Sequence, residues 1–482
     1  MKIPQALVAA LAGVLAVSSL AACSSSKKKS ADKNGDVTLS VVSLKPGSEK
    51  AAFDTFNAQV KIFEAQNPHI KVQPKEYEWK ATTFAAQLAG GTLPTVFTIP
   101  FTDGKSLIER QQVADLNKQF KALPYANEFN PKVLDAGKAA NGDVYALPTE
   151  AYGVGLEYNR TLFTQAGLDP DKPPTTWDEI RADAKQIADK THQAGYAEMT
   201  QNATGGWMLT TLTYALGGRM ESADGKSVTL NNPQTKAALQ KLHDMRWVDN
   251  SMGSNFLYDW GSINQAFAAG KIGMYMGGSD VYTSLVQQNN IKPGDYGLAT
   301  LPLDSSSDAG ILGGGTLAAV STKASDAQKD AAMKWIDFYY MRKLTTKDGA
   351  ELDAKTLAAG KQPVGTPKLP VFNKDQLDKY NAWIASYVNV PLEQMTSFTT
   401  GVFSQTLVAE PAAHTQELYT ALDPVVQAVL TDQPAPDDRS VDLGDASVYV
   451  EAGLEGLVDV EEPHDRIVLK PSGSKPNARE HH

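Results

Sequence analysis

Cysteine is almost absent from this chain, and residues typical of catalytic and metal sites form no recognisable pattern in it. The 482 residues include a single cysteine, Cys23, which has no disulfide partner within the chain. The seven histidines are scattered, and no two of them stand at the spacing of metal ligands. The motifs of serine hydrolases, zinc proteases, P-loop proteins and dinucleotide-binding proteins are missing as well. We therefore expect no enzyme activity, no metal and no cofactor.

Basic residues are fewer than acidic residues. The chain has 45 Lys and Arg against 55 Asp and Glu, a net charge of −10 at pH 7. Binding to nucleic acid needs clustered Lys and Arg against the phosphates, so no nucleic acid is expected as a partner. After residue 22, no apolar run is long enough to span a bilayer. The remaining composition, 42% hydrophobic and 21% charged, is typical of a soluble globular protein.

The first 23 residues have the pattern of an export signal. Lys2 is followed by an apolar run, residues 6–17, and then by the tetrapeptide LAAC that ends in Cys23. A cysteine directly after Leu-Ala-Ala resembles the lipobox, in which the cysteine is lipidated and becomes the mature N-terminus. We therefore expect residues 1–22 to be a lipoprotein signal peptide and Cys23 to anchor the exported protein to the outer face of the cytoplasmic membrane. Residues 23–36, rich in Ser, Lys and Asp, are expected to form a flexible tether.

Beyond the tether, predicted strands and helices alternate. Residues 37–44 are rich in β-branched residues and nearly all apolar, as in a buried strand of a parallel sheet. Apolar residues then recur at helical spacing between Phe53 and Phe63, and a second apolar strand follows. A strand, a helix and a strand at this spacing predict an α/β fold.

The stretch 145–160, YALPTEAYGVGLEYNR, is the most informative part of the chain. Between Tyr152 and Tyr158, apolar residues alternate with Gly and Glu, which is the pattern of a strand with one buried face. A proline and the polar pair Thr149-Glu150 precede this segment. These residues leave two interpretations open: two strands in line that cross from one lobe to another, or one strand interrupted by a bulge.

Several motifs in this stretch and further along resemble one protein family. They read YALP, YNRTLFTQAGLD, PTTWDEI, AFAAGK and YGLATLP, and they stand in the order that the family has. In these motifs the chain resembles the solute-binding lipoproteins of ABC sugar importers, of the maltodextrin-binding type. The resemblance implies a two-lobed α/β fold of the type II periplasmic-binding-protein class, with a first hinge in residues 145–160 and a second at residues 313–315. Thr176 and Glu179, within PTTWDEI, also form a capping box, which predicts a helix start.

The resemblance covers about residues 37–430 and implies how the chain divides between the lobes. The first lobe would take residues 37–149 and 313–343, and the second would take residues 150–312 and 344–432. Residues 433–482, where the family has a helix, are acidic or rich in Pro and Gly, so we expect an irregular tail.

The resemblance also points to residues that would bind a solute between the lobes. Aromatic rings would cover the apolar faces of a sugar, and carboxylates, amides and Lys would bind its hydroxyl groups. The candidates are Lys45 after the first strand, Phe101 in a loop after the third strand, Glu150 and Tyr152 in the first hinge, Trp207 and Trp260 just before helices, Asp280 after a strand, Gly314 in the second hinge, and Phe398 near the end of the second lobe.

Two of these residues have two possible roles, and two other positions differ from the family pattern. Trp207 and Trp260 would each either stack on a sugar or pack in the core, and the sequence leaves both open. Asp280 falls where many relatives carry Trp, and threonines follow Phe398 where the family has further rings. These replacements argue against a linear maltodextrin as the solute.

The predicted protein is therefore a non-enzymatic, lipid-anchored receptor, a monomer that delivers a sugar or oligosaccharide to ABC permease subunits in the membrane. One alternative is the same fold with another solute, such as a glycerol phosphate or a peptide. A phosphate site needs Lys or Arg in the cleft, and only Lys45 qualifies among the candidates. The other alternative, a secreted carbohydrate-active enzyme, lacks a recognisable acid/base pair, because Glu76 and Glu78 are close neighbours on a polar stretch.

Replacing Cys23 with Ala should leave an unprocessed precursor or release the protein from the membrane, because the chain has no other thiol to carry the lipid. Cell fractionation with immunoblotting measures both outcomes. Ser24→Ala is the control, since it leaves the cysteine in place. Normal processing and membrane retention of Cys23→Ala would contradict the lipoprotein assignment.

Overall fold

The structure is a computed structural model, and it describes most of the chain between the tether and the tail. The described residues are 36–44, 46–47, 50–77, 79, 81–222, 227–411, 415–431, 458–460 and 467–469. The predicted signal peptide, Cys23 and Lys45 lie outside the described residues, as do all but residue 36 of the tether and most of the tail.

The described strands are short except for two. They are β1 Val37–Val42, β2 Ile70–Lys75, β3 Val96–Pro100, β4 Ala146–Asn159, β5 Ala194–Tyr196, β6 Ser227–Val228, β7 Ile272–Gly278, β8 Tyr296–Thr300, β9 Ile311–Val320, β10 Leu407–Ala409, β11 Val458–Val460 and β12 Ile467–Leu469. The two long strands, β4 and β9, are those in which the sequence predicts the hinges.

The described α-helices pack around the strands, and short 3-10 and π segments extend or connect some of them. The helices are α1 Lys50–Gln66, α2 Ala81–Gly90, α3 Phe101–Glu109, α4 Asn117–Lys121, α5 Pro131–Leu134, α6 Arg160–Ala166, α7 Trp177–Thr191, α8 Thr204–Ala215, α9 Pro233–His243, α10 Trp260–Ala268, α11 Val281–Asn289, α12 Asp326–Ile336, α13 Arg342–Thr345, α14 Lys347–Ala359, α15 Lys374–Ile384, α16 Thr396–Gly401 and α17 Thr415–Thr431. In the part of the chain described here, none of them has the length and apolar character needed to span a bilayer.

Nine of the described strands form one sheet in the order β2-β1-β3-β9-β4-β7-β5, with β10 beside β9 and β8 beside β4. At one end, β1 pairs in parallel with β2 and β3, and β9 runs antiparallel to β3. At the other end, β4 pairs antiparallel with β7 and β8, and β5 runs parallel to β7. Since β4 and β9 pair with each other in the middle, these two strands join the ends of the sheet.

The strand β4 combines the two interpretations left open for residues 145–160. It is one strand of 14 residues, whose first half pairs with β9 and whose second half pairs with β7 and β8. The register shifts between Pro148 and Glu150, where the proline has no N–H to donate to the ladder. Thr149 occupies this bulge, and its hydroxyl donates to the carbonyl of Thr316 at 3.1 Å. The strand therefore both carries a bulge and crosses from one lobe to the other.

The hydrophobic core falls into groups that match the two ends of the sheet. One group contains Phe63 and Trp335 and belongs to the first lobe. A larger group contains Leu156 of β4 and belongs to the second lobe, with α7, α8 and α17 packed around it. Val371 and Phe372 lie in the first-lobe group, although the predicted boundaries assign them to the second lobe. The segment after residue 344 thus contacts the first lobe before it continues into the second.

A helix follows the third strand directly, which corrects the predicted loop at Phe101. Pro100 ends β3, and Phe101 is the first residue of α3. Gly104, in the first turn, lowers the helical propensity of this segment and so obscures the helix in the sequence. The glycine is needed there because a Cβ atom would lie 2.5 Å from the carbonyl oxygen of Ala136.

The helix α7 begins as the capping box predicts. The Thr176 hydroxyl accepts a hydrogen bond from the backbone N–H of Glu179 at 3.1 Å. In return, the Glu179 carboxylate accepts one from the backbone N–H of Thr176 at 3.2 Å. The two bonds satisfy N–H groups that a helix start would otherwise leave unpaired.

Two short strands of the predicted tail belong to the described residues. β11 and β12 pair antiparallel with each other, and β12 pairs antiparallel with β6. The three strands form a small sheet of their own. The expected irregularity of the rest of the tail stays a prediction, because those residues lie outside the described part.

Trp335→Ala should lower the free energy of unfolding by about 3–5 kcal/mol, the usual cost of truncating a core aromatic residue. Trp335 is 0% exposed, stacks on Tyr339 with ring centroids 5.1 Å apart, and contacts Phe63 edge-on. Denaturation in urea, followed by circular dichroism, measures the loss. Trp260→Ala is the matched control, since Trp260 is 38% exposed and its removal should cost much less. Similar losses for both variants would contradict the packing described for the first lobe.

Candidate functional site

The two crossing strands bring several predicted residues together at the middle of the sheet. Glu150 is paired with Thr316, and Tyr152 is paired with Gly314, across the β4–β9 ladder. Alternate residues of a strand point to one face, so Glu150 and Tyr152 share a face of the sheet. The hydroxyl of Thr316 donates to Oε1 of Glu150 at 3.3 Å.

Two consecutive glycines of β9 make room for aromatic rings, Gly314 on the face of Tyr152 and Gly315 on the opposite face. A Cβ atom on Gly314 would lie 2.3 Å from the hydroxyl oxygen of Tyr152, and one on Gly315 would lie 2.8 Å from Cζ of Phe101. Any larger residue would therefore displace a ring, because protein interiors leave no such space free. Gly314 is itself buried, so it shapes the site by making room for Tyr152 rather than by offering a surface to a solute.

Lys368, which the sequence analysis did not select, pairs with Glu150. Its Nζ atom donates to Oε2 of Glu150 at 3.1 Å, and the two side chains are 44% and 49% exposed. The next residue, Leu369, donates its backbone N–H to the carbonyl of Ala151, which fixes the lysine beside the strand. The Lys368 charge holds the pKa of Glu150 below its usual range, against the opposing effect of burial. Glu150 is therefore an ionised carboxylate at neutral pH.

Asp280 lies beside this ion pair, just after β7. A Cβ atom on Gly278 would lie 2.8 Å from Oδ1 of Asp280 and 3.1 Å from Cδ2 of Tyr152, so the carboxyl group and the ring lie next to each other. Burial raises the pKa of Asp280, and the charge of Lys368 opposes this rise. For Lys368, burial alone would lower the pKa, but Glu150 and Asp280 together raise it. One ammonium group thus serves two carboxyl groups.

Trp207 faces Tyr152 from the second lobe. It lies in the first turn of α8 rather than before the helix, and it is partly buried. The rings of Trp207 and Tyr152 meet edge-on, with centroids 6.2 Å apart and planes at 80°. The indole Nε1 of Trp207 is buried and has no hydrogen-bond partner in the described structure. The ring therefore keeps one unused donor beside the tyrosine.

Glu410, a second residue that the sequence analysis missed, lies on the other side of Tyr152. It follows β10, whose last residue pairs with Gly313 of β9. The hydroxyl of Tyr419 donates to Glu410. Burial raises the pKa of Glu410 to about 8, so this carboxyl group is largely protonated at neutral pH. Burial also raises the pKa of Tyr152, and the carboxyl groups of Glu410, Asp280 and Glu150 add to that rise.

These contacts join four of the predicted residues to two unpredicted ones. We refer to this set as the central cluster; it comprises Glu150, Tyr152, Trp207, Asp280, Lys368 and Glu410. It presents aromatic rings beside carboxyl groups and an ammonium group. Among the described residues there is no group of three or more His, Cys, Asp or Glu placed to hold a metal ion.

The remaining predicted residues lie elsewhere. Phe398 is 1% exposed, and a Cβ atom on Gly155 would lie 3.1 Å from its ring, so it belongs to the second-lobe core. This corrects the expectation that Phe398 faces a solute. Trp260 is the first residue of α10 and is 38% exposed, which places it at the surface rather than in the core. Phe101 lies over Gly315, on the face of β9 opposite to the one that Gly314 shares with Tyr152.

A groove of about 510 Å³ begins next to Phe101, where α3 meets the start of α17. Gln416 of α17 donates to the hydroxyl of Thr102 at 3.2 Å and so closes one side of the groove. Trp79 and Asp103 line it as well. Burial raises the pKa of Asp103 to about 6, although the charge of Arg110 opposes the rise. The volume is typical of a pocket for a small molecule.

The two missed residues carry only weak signals in the sequence. Lys368 stands in the segment TPKLP, and Glu410 stands between an apolar run and a proline in VAEPA. Each is a lone charged residue in a stretch without helical or strand periodicity. A charged residue in such a place suggests a specific partner, but the sequence does not identify the partner residue.

A comparison with known families identifies the chain. The model for bacterial extracellular solute-binding proteins matches residues 58–382, which is more than half of the chain. The protein belongs to this family. Membership confirms the resemblance to solute-binding proteins of ABC transporters, the two-lobed α/β periplasmic-binding-protein fold, and the prediction of a transport component that is not an enzyme.

Individual relatives of this solute-binding protein bind different solutes. The sn-glycerol-3-phosphate-binding periplasmic protein UgpB of Escherichia coli is 24% identical over 295 residues, which span 57% of this chain and 65% of UgpB. A solute-binding protein of Thermotoga lettingae, solved with α-D-tagatose, is 20% identical; the match covers 86% of this chain and 99% of that one, with a TM-score of 0.65. The cyclic α-maltosyl-1,6-maltose binding protein of Arthrobacter globiformis is 23% identical, with coverages of 87% and 100% and a TM-score of 0.64. At these identities, the two structures establish the fold alone.

Glu410→Gln should flatten the dependence of stability on pH. Between its ordinary pKa of 4.5 and its folded pKa of about 8, Glu410 holds a proton that the unfolded chain does not, so stability falls as the pH rises through this range. Glutamine keeps an acceptor for Tyr419 and cannot ionise. Melting temperatures measured from pH 5 to pH 9 should therefore fall less for the variant than for the wild type.

Two other buried glutamates, Glu157 and Glu198, also have raised pKa values because of burial. A part of the slope should therefore remain in Glu410→Gln. Glu393→Gln, at an exposed position of the same lobe, is the matched control. If the melting temperatures of Glu410→Gln and Glu393→Gln depend on pH as steeply as that of the wild type, the assignment of Glu410 as a protonated group is wrong.

Proposed function

We propose that this protein captures a sugar or a sugar-like polyol outside the cell and delivers it to an ABC permease. The observation that carries the proposal is the central cluster, in which the rings of Tyr152 and Trp207 lie beside Glu150, Asp280 and Lys368. A sugar presents apolar C–H faces and a rim of hydroxyl groups. Aromatic rings bind the faces, and charged groups bind the hydroxyls through charge-assisted hydrogen bonds.

The charge of the central cluster favours a neutral solute over a phosphate. A phosphate carries up to two negative charges and needs cations or free N–H groups around it. Lys368 is shared by Glu150 and Asp280, so an arriving phosphate would compete with two carboxyl groups. The hydroxyl groups of a sugar can instead donate to those carboxyl groups while Lys368 stays in place. The likeness to UgpB supports glycerol phosphate as the second candidate solute.

The shape of the cluster favours a compact solute over an extended glucan chain. Asp280 stands where many relatives carry a stacking Trp, and Phe398 belongs to the core. Two aromatic rings, edge-on to each other, offer a short stacking surface.

The proposal also includes a lipid anchor, closure of the two lobes and a monomeric state. The mature protein begins at a lipidated Cys23, which would keep it at the outer face of the membrane near its permease. The lobes have their predicted boundaries at residues 149/150, 312/313 and 343/344, except that Val371 and Phe372 pack in the first lobe. They close on the solute by bending at the crossing strands. A monomeric receptor is part of the same proposal.

A thermal-shift screen tests the choice of solute. A solute that binds only the folded protein raises the melting temperature by mass action. We expect a rise with at least one of D-tagatose, D-mannitol, maltose and a cyclic tetrasaccharide, and none with sn-glycerol 3-phosphate. If only sn-glycerol 3-phosphate raises the melting temperature, the proposed solute is wrong and the second candidate, glycerol phosphate, takes its place. New reducing ends after incubation with oligosaccharides would contradict a receptor without enzyme activity.

Trp207→Ala should weaken binding of the sugar found in that screen by about 1–3 kcal/mol, because an aromatic anchor loses its apolar contact. The loss of unfolding free energy should be much smaller than for Trp335→Ala, since Trp207 is only partly buried. Calorimetric titration and urea denaturation of the same variant measure the two quantities. Trp207→Phe, which keeps a ring, should recover most of the affinity. Unchanged affinity with a large loss of stability would place Trp207 in the core instead.

A further inference from the structure

The last described helix of the second lobe, α17, lies against the segment that leads into α8. Tyr419, Asp423 and Gln427 of α17 follow one another at intervals of four residues, so they share one face of the helix. All three contact residues 200–206, which immediately precede Trp207. Gln427 donates its side-chain N–H to the carbonyl of Thr200 at 2.7 Å.

Asp423 takes the place of a local cap for α8. The residue at the N-cap position is Ala203, which has no side-chain acceptor and adopts a left-handed conformation with φ of 66°. The carboxylate of Asp423 accepts hydrogen bonds from the backbone N–H of Ala203 at 2.7 Å and of Gly206 at 3.0 Å. Asp423 is 7% exposed. A buried carboxylate from a distant helix therefore satisfies N–H groups at the positive end of the α8 dipole.

The backbone around these bonds has almost no room to shift. A Cβ atom on Gly206 would lie 2.3 Å from the carbonyl oxygen of Tyr419. One on Gly205 would lie 2.8 Å from Cα of Thr200 and 2.9 Å from Oδ1 of Asp423. The segment is thus pressed against α17, and the two hydrogen bonds to Asp423 set its position along that helix.

We propose that Asp423 is a positioning residue for Trp207. By capping α8 from α17, it fixes the direction in which the indole of Trp207 faces Tyr152. Asp423 does not contact a solute; it acts through the backbone of Gly206, the residue directly before Trp207. The expected effect on affinity rests on the proposed function, in which Trp207 is part of the solute site. The expected effect on the orientation of the indole does not depend on that function.

The direct test observes the indole in the free protein. The full chain is labelled with 5-fluorotryptophan, which gives up to seven ¹⁹F resonances, and Trp207→Phe identifies the one from Trp207. Asp423→Asn keeps the shape of the side chain but loses the charge and one of its two acceptors; Asp423→Ala loses both acceptors. We expect the Trp207 resonance to shift or broaden in both variants, more in Asp423→Ala, while the resonance of Trp335 in the first lobe stays unchanged.

Thr176→Ala is the matched control, because it removes the local cap of α7 in the same lobe, and the cap's hydrogen bonds join Thr176 to Glu179. It should lower the melting temperature and leave the Trp207 resonance where it is. An unchanged Trp207 resonance in folded Asp423→Asn and Asp423→Ala overturns the proposal, and so does an equal change in Thr176→Ala. If Asp423→Ala does not fold, the isosteric Asp423→Asn decides the question.

A binding measurement extends the test to the solute site. Calorimetric titrations with D-tagatose and with maltose should give a Kd about fivefold higher in Asp423→Asn than in the wild type, which corresponds to about 1 kcal/mol, because the indole must be re-oriented before it contacts the sugar. Thr176→Ala should leave the Kd unchanged. A displaced Trp207 resonance with an unchanged Kd overturns the role of Asp423 in binding. If neither these two sugars nor D-mannitol nor the cyclic tetrasaccharide binds the wild type, the choice of solute under the proposed function fails, and the ¹⁹F measurement still decides what Asp423 does.

Discussion

The pairing of β4 with β9 is the constraint on which the rest of the site depends. Through this ladder, Tyr152 lies opposite Gly314 and Glu150 lies opposite Thr316, so a ring and a carboxylate share one face at the point where the chain passes between the lobes. The absence of a side chain at Gly314 is what allows the ring to lie flat across the neighbouring strand. β7 and β10 pair with these two strands, and the ends of β7 and β10 bring Asp280 and Glu410 to the same place.

The electrostatics of the site follow from this crowding. Burial disfavours the ionised form of a carboxyl group, and the carboxyl groups of the central cluster differ in what opposes this effect. Glu150 stays ionised because Lys368 donates to it, whereas Glu410 remains protonated to about pH 8. The same surface thus offers both an acceptor-only carboxylate and a carboxyl group that can donate. Such a mixture suits hydroxyl groups, which donate and accept at once.

Local signals in the sequence predict single elements, and the resemblance to a family supplies the two-lobed fold, while the site depends partly on distant contacts. The capping box at Thr176 and the alternation in β4 each describe structure within a few residues. Lys368 could not be chosen in this way, because its partner Glu150 is 218 residues earlier. The expectation that Phe398 faces the cleft rests on the resemblance, because the family has an aromatic residue late in the second lobe. Its burial depends on the space that Gly155 leaves on a strand far away in sequence.

The bond between Asp423 and the start of α8 also has a consequence for the order of folding. The two partners are separated by 220 residues, so the loop that this contact closes spans nearly half of the chain. Contacts of such high sequence separation carry a large loop-closure entropy and form late. During export, the polypeptide crosses the membrane from its N-terminus, and α17 emerges after almost all other helices. If Asp423 positions Trp207 as proposed, the indole of Trp207 reaches its final orientation only after α17 has been exported.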